Sequence, residues 1–280
     1  MVYYSKGNRY LSTKRTNDKE EIMLFENGDR IVFTGDSTTD NGRGRPVGEG
    51  LWDGVGSGYV RVIENILNVV YPERLYWISN TGVSGNTTRD LHDRWQNDVM
   101  ALKPDWVSVM IGVNDIWRRF DCPAITSSHV YAAEYKDLLS KMMERTLPTV
   151  KGMILLSPYY IESNREDSMR MAVDEYIGIC SDVAKKYNTV FVNLQRAFDD
   201  YLVYRHSSYI AWDRVHPGPI GSTIIGFISP PGEGTALAGA NPEKPARFQP
   251  RIASRASQVS PLKMSLEKCA PRPHCHCPSV

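Results

Sequence analysis

Arg30-Ile31-Val32-Phe33-Thr34-Gly35-Asp36-Ser37-Thr38-Thr39-Asp40 carries the decisive reading of this 280-residue chain. Residues 30–34 form a short apolar run, read as a buried strand that ends at Gly35. A serine two residues later sits at the mouth of a sheet, beside a helix N-terminus. There its hydroxyl can act as a nucleophile, and its own N–H can face a developing oxyanion. Taken alone, Asp36 and Ser37 are more simply helix-capping residues.

Working outward, strand-length apolar runs alternate with longer amphipathic segments. Strands are expected at 75–79, 106–111, 153–156 and 190–194. Helices are expected at 59–70, 87–102, 129–147, 168–187 and 196–204, with Pro72 and Pro148 as stops. Five nearly all-apolar strands separated by helices imply a parallel sheet covered on both faces. Right-handed crossovers make this a three-layer α/β/α sandwich. Function then belongs in the loops after the strand C-termini, near Gly35, Asn80, Gly112 and Ser157.

Composition bounds the rest. The 33 Lys and Arg balance 32 Asp and Glu, for a net charge of +1. A strongly basic nucleic-acid binder and a wholly disordered acidic chain are excluded, so no nucleic-acid partner is expected. The balance is uneven: residues 22–225 carry −5, and residues 226–280 carry +4. Three regions follow: an N-terminal extension (1–21), an acidic, aromatic-rich domain (22–225) and a Pro-rich tail (226–280). The tail holds nine of 17 prolines and three of five cysteines, with no Trp or Tyr. It reads as disordered or aberrant sequence. Its Cys269, His274, Cys275, His276 and Cys277 lack the paired spacing of structural zinc sites, so no metal is expected. No apolar run reaches membrane-spanning length, and no secretory leader is visible. A cytoplasmic location without membrane attachment is expected, with Cys122 and Cys180 as free thiols.

Three further constellations join the serine. Trp212-Asp213-Arg214-Val215-His216-Pro217 offers a carboxylate and an imidazole three residues apart, able to orient and supply a general base. Among the other histidines, His92, His129 and His206 fall on helices or their ends and are read as solvated. Gly82-Val83-Ser84-Gly85 and Gly112-Val113-Asn114-Asp115 offer a close-approaching backbone N–H and a side-chain amide for an oxyanion. Either loop alone is ordinary turn chemistry. Residues 42–58 hold seven glycines without nucleotide-binding spacing, and read as a long flexible loop over the site rim.

Together, in these loops and this order, the four constellations resemble the SGNH (GDSL) hydrolase superfamily, over roughly residues 24–225. The resemblance implies a flavodoxin-like fold, catalytic Ser37, Asp213 and His216, and an oxyanion hole from Ser37, Gly85 and Asn114, with no cofactor. Arg45-Pro46-Val47-Gly48-Glu49-Gly50, Ser84 to Leu91, Pro104 to Arg118 and Ala211 to Pro217 look most like bacterial acetylxylan esterases. That implies deacetylation of xylan or xylo-oligosaccharides, an acetylated sugar as substrate, and compatibility with homo-oligomers. Trp52, Trp117 and Trp212 lie near these loops and read equally as groups that stack on a sugar ring or as core or subunit-contact residues. Two alternatives remain at this level. One is a lipase or thioesterase acting on longer acyl esters; the other is an inactive carbohydrate-binding relative, disabled by its altered C-terminus.

Overall fold

Strand β1 (Arg30–Gly35) lies near the middle of a five-stranded sheet with β2 (Trp77–Asn80), β3 (Trp106–Met110), β4 (Gly152–Leu156) and β5 (Val190–Val192). The computed structural model describes residues 24–50 and 52–229. Every pairing is parallel, and the order is β2-β1-β3-β4-β5. This is the doubly wound order of flavodoxin-like sheets.

Alternation along the strands separates two cores. Val32, Val107, Val109, Met153 and Leu155 face α3 (Thr88–Asp98), α4 (Val113–Asp121), α5 (Ala132–Thr146) and α6 (Ser168–Lys186). Ile31, Phe33, Met110, Ile154 and Leu156 face α2 (Tyr59–Val70), α7 (Leu194–Leu202) and α8 (Pro219–Ile228). A single turn, α1 (Ser37–Asp40), follows β1. The expected three layers are present, and burying both faces of each strand explains the near-continuous apolar runs.

Several local expectations change. The segment after β3 was expected to be a loop, but α4 begins at Val113 and puts Asn114 in its first turn. Gly112 makes this possible. Its φ of +127° turns strand directly into helix, and an added Cβ would sit 3.0 Å from the Tyr135 ring. The helix expected through 102 ends at Asp98, and a 3₁₀ turn covers Met100–Leu102. His129 is buried, not solvated; its Nε2 lies 3.2 Å from the Cys122 carbonyl. Within the glycine-rich stretch, the segment at 43–48 is tied down. Arg43 is buried and donates to the carbonyls of Gly82 (2.7 Å), Gly44 (3.0 Å) and Pro46 (2.6 Å). Gly48 exchanges backbone hydrogen bonds with Asn80 at the edge of β2. These bonds satisfy backbone groups that a flexible loop would leave to water. The N-terminal extension and all of the tail beyond Ser229, with the cysteines and histidines of 269–277, lie outside the described residues.

Helix α8 continues through Gly226 to Ile228 and packs on α2. A Cβ at Gly226 would lie 2.5 Å from Val62 Cγ1, whereas one at Gly178 on α6 would meet nothing within 4 Å. Both positions gain helix propensity on conversion to alanine. We therefore expect Gly178→Ala to stabilise by roughly 0.4–1 kcal/mol. Gly226→Ala is expected to destabilise by about 1–3 kcal/mol through overpacking. Chemical denaturation of the two variants checks the difference.

Candidate active site

Ser37 is the first residue of α1, immediately past the C-terminal end of β1. The Asp36 carboxylate caps this turn, accepting from Thr38 N–H at 3.1 Å. Thus Asp36 takes the capping role and Ser37 is left presented at the end of the strand, so the two readings of Gly35-Asp36-Ser37 do not compete. Asp36, Thr38 and Thr39 are buried, while Ser37 is partly open to solvent. Its N–H is at the first helical position, where no intrahelical acceptor exists.

Ser37 Oγ lies 2.7 Å from His216 Nε2, and His216 Nδ1 lies 2.6 Å from Asp213 Oδ2. The other Asp213 oxygen accepts from the backbone N–H groups of Val215 (3.0 Å) and His216 (2.8 Å). Burial pushes the Asp213 carboxyl up. The His216 N–H, the His216 ring and the Val215 N–H outweigh it and hold the group below the ordinary carboxylate range. Asp213 therefore stays ionised, shapes its own loop and orients the imidazole.

This loop is strained, because Arg214 takes a left-handed φ of 65°. The strand-end segment after β4 holds it there. Ile161 N–H donates to the Arg214 carbonyl (2.8 Å), and the Tyr159 hydroxyl donates to the Val215 carbonyl (3.1 Å). The Arg214 guanidinium pairs with Glu162 and lies 5.3 Å from the Tyr160 ring centre. Trp117, on α4, sets its ring 5.7 Å from that of His216.

The two remaining loops are joined to each other. Asn114 is buried; its Nδ2 donates to the Asn86 carbonyl at 3.0 Å, and its Oδ1 accepts from Arg118 at 3.3 Å. One amide N–H of Asn114 therefore remains for a ligand. Gly85 precedes Asn86 with a φ of +83°. The strand-end backbone packs closely here: a Cβ on Gly82 would lie 2.4 Å from Asp40 N. Asp40 Oδ2 accepts from the N–H (3.0 Å) and Oγ (2.8 Å) of Ser84, and Val83 N–H donates to the Gly35 carbonyl (3.0 Å).

A serine, an imidazole and a carboxylate in hydrogen-bonded line, beside a joined glycine loop and asparagine, are what acyl transfer through a serine requires. Residues 33–224 match the GDSL-like Lipase/Acylhydrolase family. The chain belongs to that family. It is 46% identical to an acetylxylan esterase of Geobacillus stearothermophilus over 203 residues, 72% of this chain and 93% of that one. A crystal structure of the acetylxylan esterase Axe2 from the same organism matches with a TM-score of 0.71 and 46% identity, covering 71% of this chain and 91% of that one. Three solved variants of Axe2 are catalytic mutants in which a serine, a histidine and an aspartate are replaced by alanine. LAE5, an alpha/beta hydrolase from the metagenome of Lake Arreo, matches at 49% identity and a TM-score of 0.72, covering 74% of this chain and 95% of that one.

Within this GDSL-family site, Ser37, Asp213, His216 and Trp117 come together, and Gly85 and Asn114 are coupled through Asn86. Trp52 and Trp212 stand 87% and 88% exposed. The sequence reading missed the groups that hold the loops: Asp40, Arg43, Arg94, Asp115, Tyr159 and Glu162. For Arg94 a signal existed, since it falls in the Leu91–Trp95 stripe of α3, where an apolar residue is expected. Among the described residues, no group of three or more His, Cys, Asp and Glu side chains could hold a metal ion. No helix among them is long and apolar enough to cross a membrane.

Two buried acids sit behind the site. Burial raises Asp36 to about 6, opposed by the Thr38 N–H and by His216. Burial raises Asp115 to about 7, although both its oxygens accept from Thr88 N–H at 3.0 and 3.2 Å. Above its unfolded value, near 4, Asp115 keeps a proton in the native state that the unfolded chain releases. Stability contributed below that value is lost as pH rises through 7. Wild-type melting temperature should therefore carry a falling component between about pH 4 and 7. Asp115→Asn, which still offers an acceptor to Thr88, should flatten that component; an unchanged slope in thermal melts would refute the assignment.

Proposed function

We propose that this chain is a serine esterase that hydrolyses acetyl esters on xylan or xylo-oligosaccharides through an acetyl-enzyme. The observation that carries this reading is the Ser37–His216–Asp213 line, with contacts of 2.7 and 2.6 Å. Ser37 Oγ attacks the ester carbonyl as His216 Nε2 takes its proton. Asp213 stabilises the imidazolium. The N–H groups of Ser37 and Gly85 and the free N–H of Asn114 receive the oxyanion. His216 returns its proton to the departing sugar oxygen, then activates water to release acetate. No step needs a cofactor.

The substrate class is supported by the relatives described above and by the aromatic surface. Trp117 flanks the base, and Trp52 and Trp212 are free to meet a sugar ring. Trp52 also holds an unfavourable φ of 62°, a kind of strain that concentrates at functional sites. The esterase unit on this reading is residues 22–225 plus the remainder of α8, flanked by the extension and the tail.

Ser37→Ala should lower turnover of acetylated xylo-oligosaccharides by at least about 10³-fold, and Asn114→Ala by about 10²–10³. Rates across an acyl series should be greatest for acetate. A maximum at butyrate or longer, with no release of acetate from xylo-oligosaccharides, would sink the substrate assignment. Absence of any Ser37-dependent turnover would favour the inactive, carbohydrate-binding reading instead.

A further inference from the structure

Arg94 lies on α3, yet its side chain points to the C-terminal edge of the sheet and is only 16% exposed. Four of its N–H groups are spent on four acceptors. Nη2 donates to the Gly35 carbonyl (2.9 Å), two residues before Ser37. Nη1 donates to the Thr81 carbonyl (2.7 Å) at the end of β2, and to Asp98 (2.9 Å) one turn along α3. Nε donates to Asn86 Oδ1 (2.6 Å). Asn86 in turn uses its backbone carbonyl to hold the Asn114 amide at 3.0 Å.

We propose that Arg94 is a positioning residue of the oxyanion hole, a single side chain that ties the segments bearing Ser37, Gly85 and, through Asn86, Asn114 to a common frame. The proposal rests on the esterase reading above. The guanidinium suits the role because its donors leave a rigid plane in fixed directions. It reaches the backbone just before Ser37, the strand end that leads to Gly85, and the side chain of Asn86. Asn86 is bonded at both ends, to Arg94 through its side chain and to Asn114 through its carbonyl, so it transmits the frame to the third donor. The Asp98 carboxylate offsets the buried charge. Lysine keeps that charge but is a single donor centre without the fork, so it cannot span Gly35, Thr81 and Asn86 together. Oxyanion stabilisation depends on donors fixed before the charge develops. Releasing the frame should therefore cost turnover far more than ground-state binding.

The test uses the full chain with acetylated xylobiose and a simple aryl acetate. Arg94→Lys and Arg94→Ala should each lower kcat by about 10–10²-fold with KM within about twofold. Added methylguanidine should recover at least a tenfold part of the Arg94→Ala loss and none of the loss in Asn114→Ala. The Arg94→Ala/Asn114→Ala double variant should lose clearly less than the product of the two single losses, because both changes act on one oxyanion hole. Wild-type kcat in Arg94→Lys would overturn the proposal. So would an Arg94→Ala loss that resists methylguanidine and multiplies with that of Asn114→Ala. Should Arg94→Ala fail to fold by circular dichroism, Arg94→Lys with its kcat-to-KM split and its own cycle against Asn114→Ala decides the matter. Failure of the esterase reading is distinguishable, since it removes Ser37-dependent turnover from the wild-type chain itself.

Discussion

The parallel register of β1 with its two neighbours is the constraint on which the site depends. It sets Gly35 opposite Met110 on β3 and Phe33 opposite Asn80 on β2. Three chains therefore leave the sheet at one level, within reach of one another's backbone. Only glycine tolerates that crowding at Gly35, where a Cβ would fall 2.1 Å from the Met110 carbonyl oxygen. Strand spacing brings the segments bearing Ser37, Gly85 and Asn114 close, and bonds between the loops, Ser84 to Asp40 and Asn114 to Asn86, join them. The base is different. It arrives from far along the chain, and a strained turn braced by Tyr159, Ile161 and Glu162 holds it against the serine.

Buried cations do much of the bracing. Arg43 and Arg94 both pay desolvation, which pulls each below the ordinary guanidinium range. Each offsets this with several directed bonds, Arg94 to the Gly35 and Thr81 carbonyls at strand ends and Arg43 to the carbonyls of Gly82, Gly44 and Pro46. Farther out, buried Arg170 joins Asp174, Asp199 and the Glu162 carbonyl, and Glu162 holds Arg214 beside His216. Such sites leave little freedom. Removing one partner strands a charge or a carbonyl in a dry region, and the cost exceeds the worth of the lost bond.

Much of this was readable from residues alone. Ile31 and Phe33 against Val32 mark the two-faced strand, and Ser37, Asp213 and His216, singled out as residue types that acyl transfer would use, lie in one hydrogen-bonded line. What escaped was long-range. Nothing local distinguishes Arg43 in a glycine-rich stretch from a solvated arginine, so that stretch read as loose when it is bound to β2. Asn114 read as a loop residue because Gly112 signals a turn, and a glycine at positive φ starts a helix as readily as it breaks a strand. His129 read as solvated because its burial depends on a carbonyl seven residues away that no pattern marks. Local periodicity reports which face is apolar; it does not report which polar side chain spends its donors on a distant backbone.

All of these site groups stand at one end of the sheet. The other end is closed by short turns, with Asp105 N–H on the Arg30 carbonyl, Lys151 N–H on the Asp105 carbonyl and Lys151 Nζ on Asp29. The molecule thus has a working end and a handling end. A support, a fusion partner or a polymer attached through the turns at 72–76, 103–105 or 148–151 would leave Ser37, His216 and the neighbouring exposed Trp212 facing an insoluble polysaccharide.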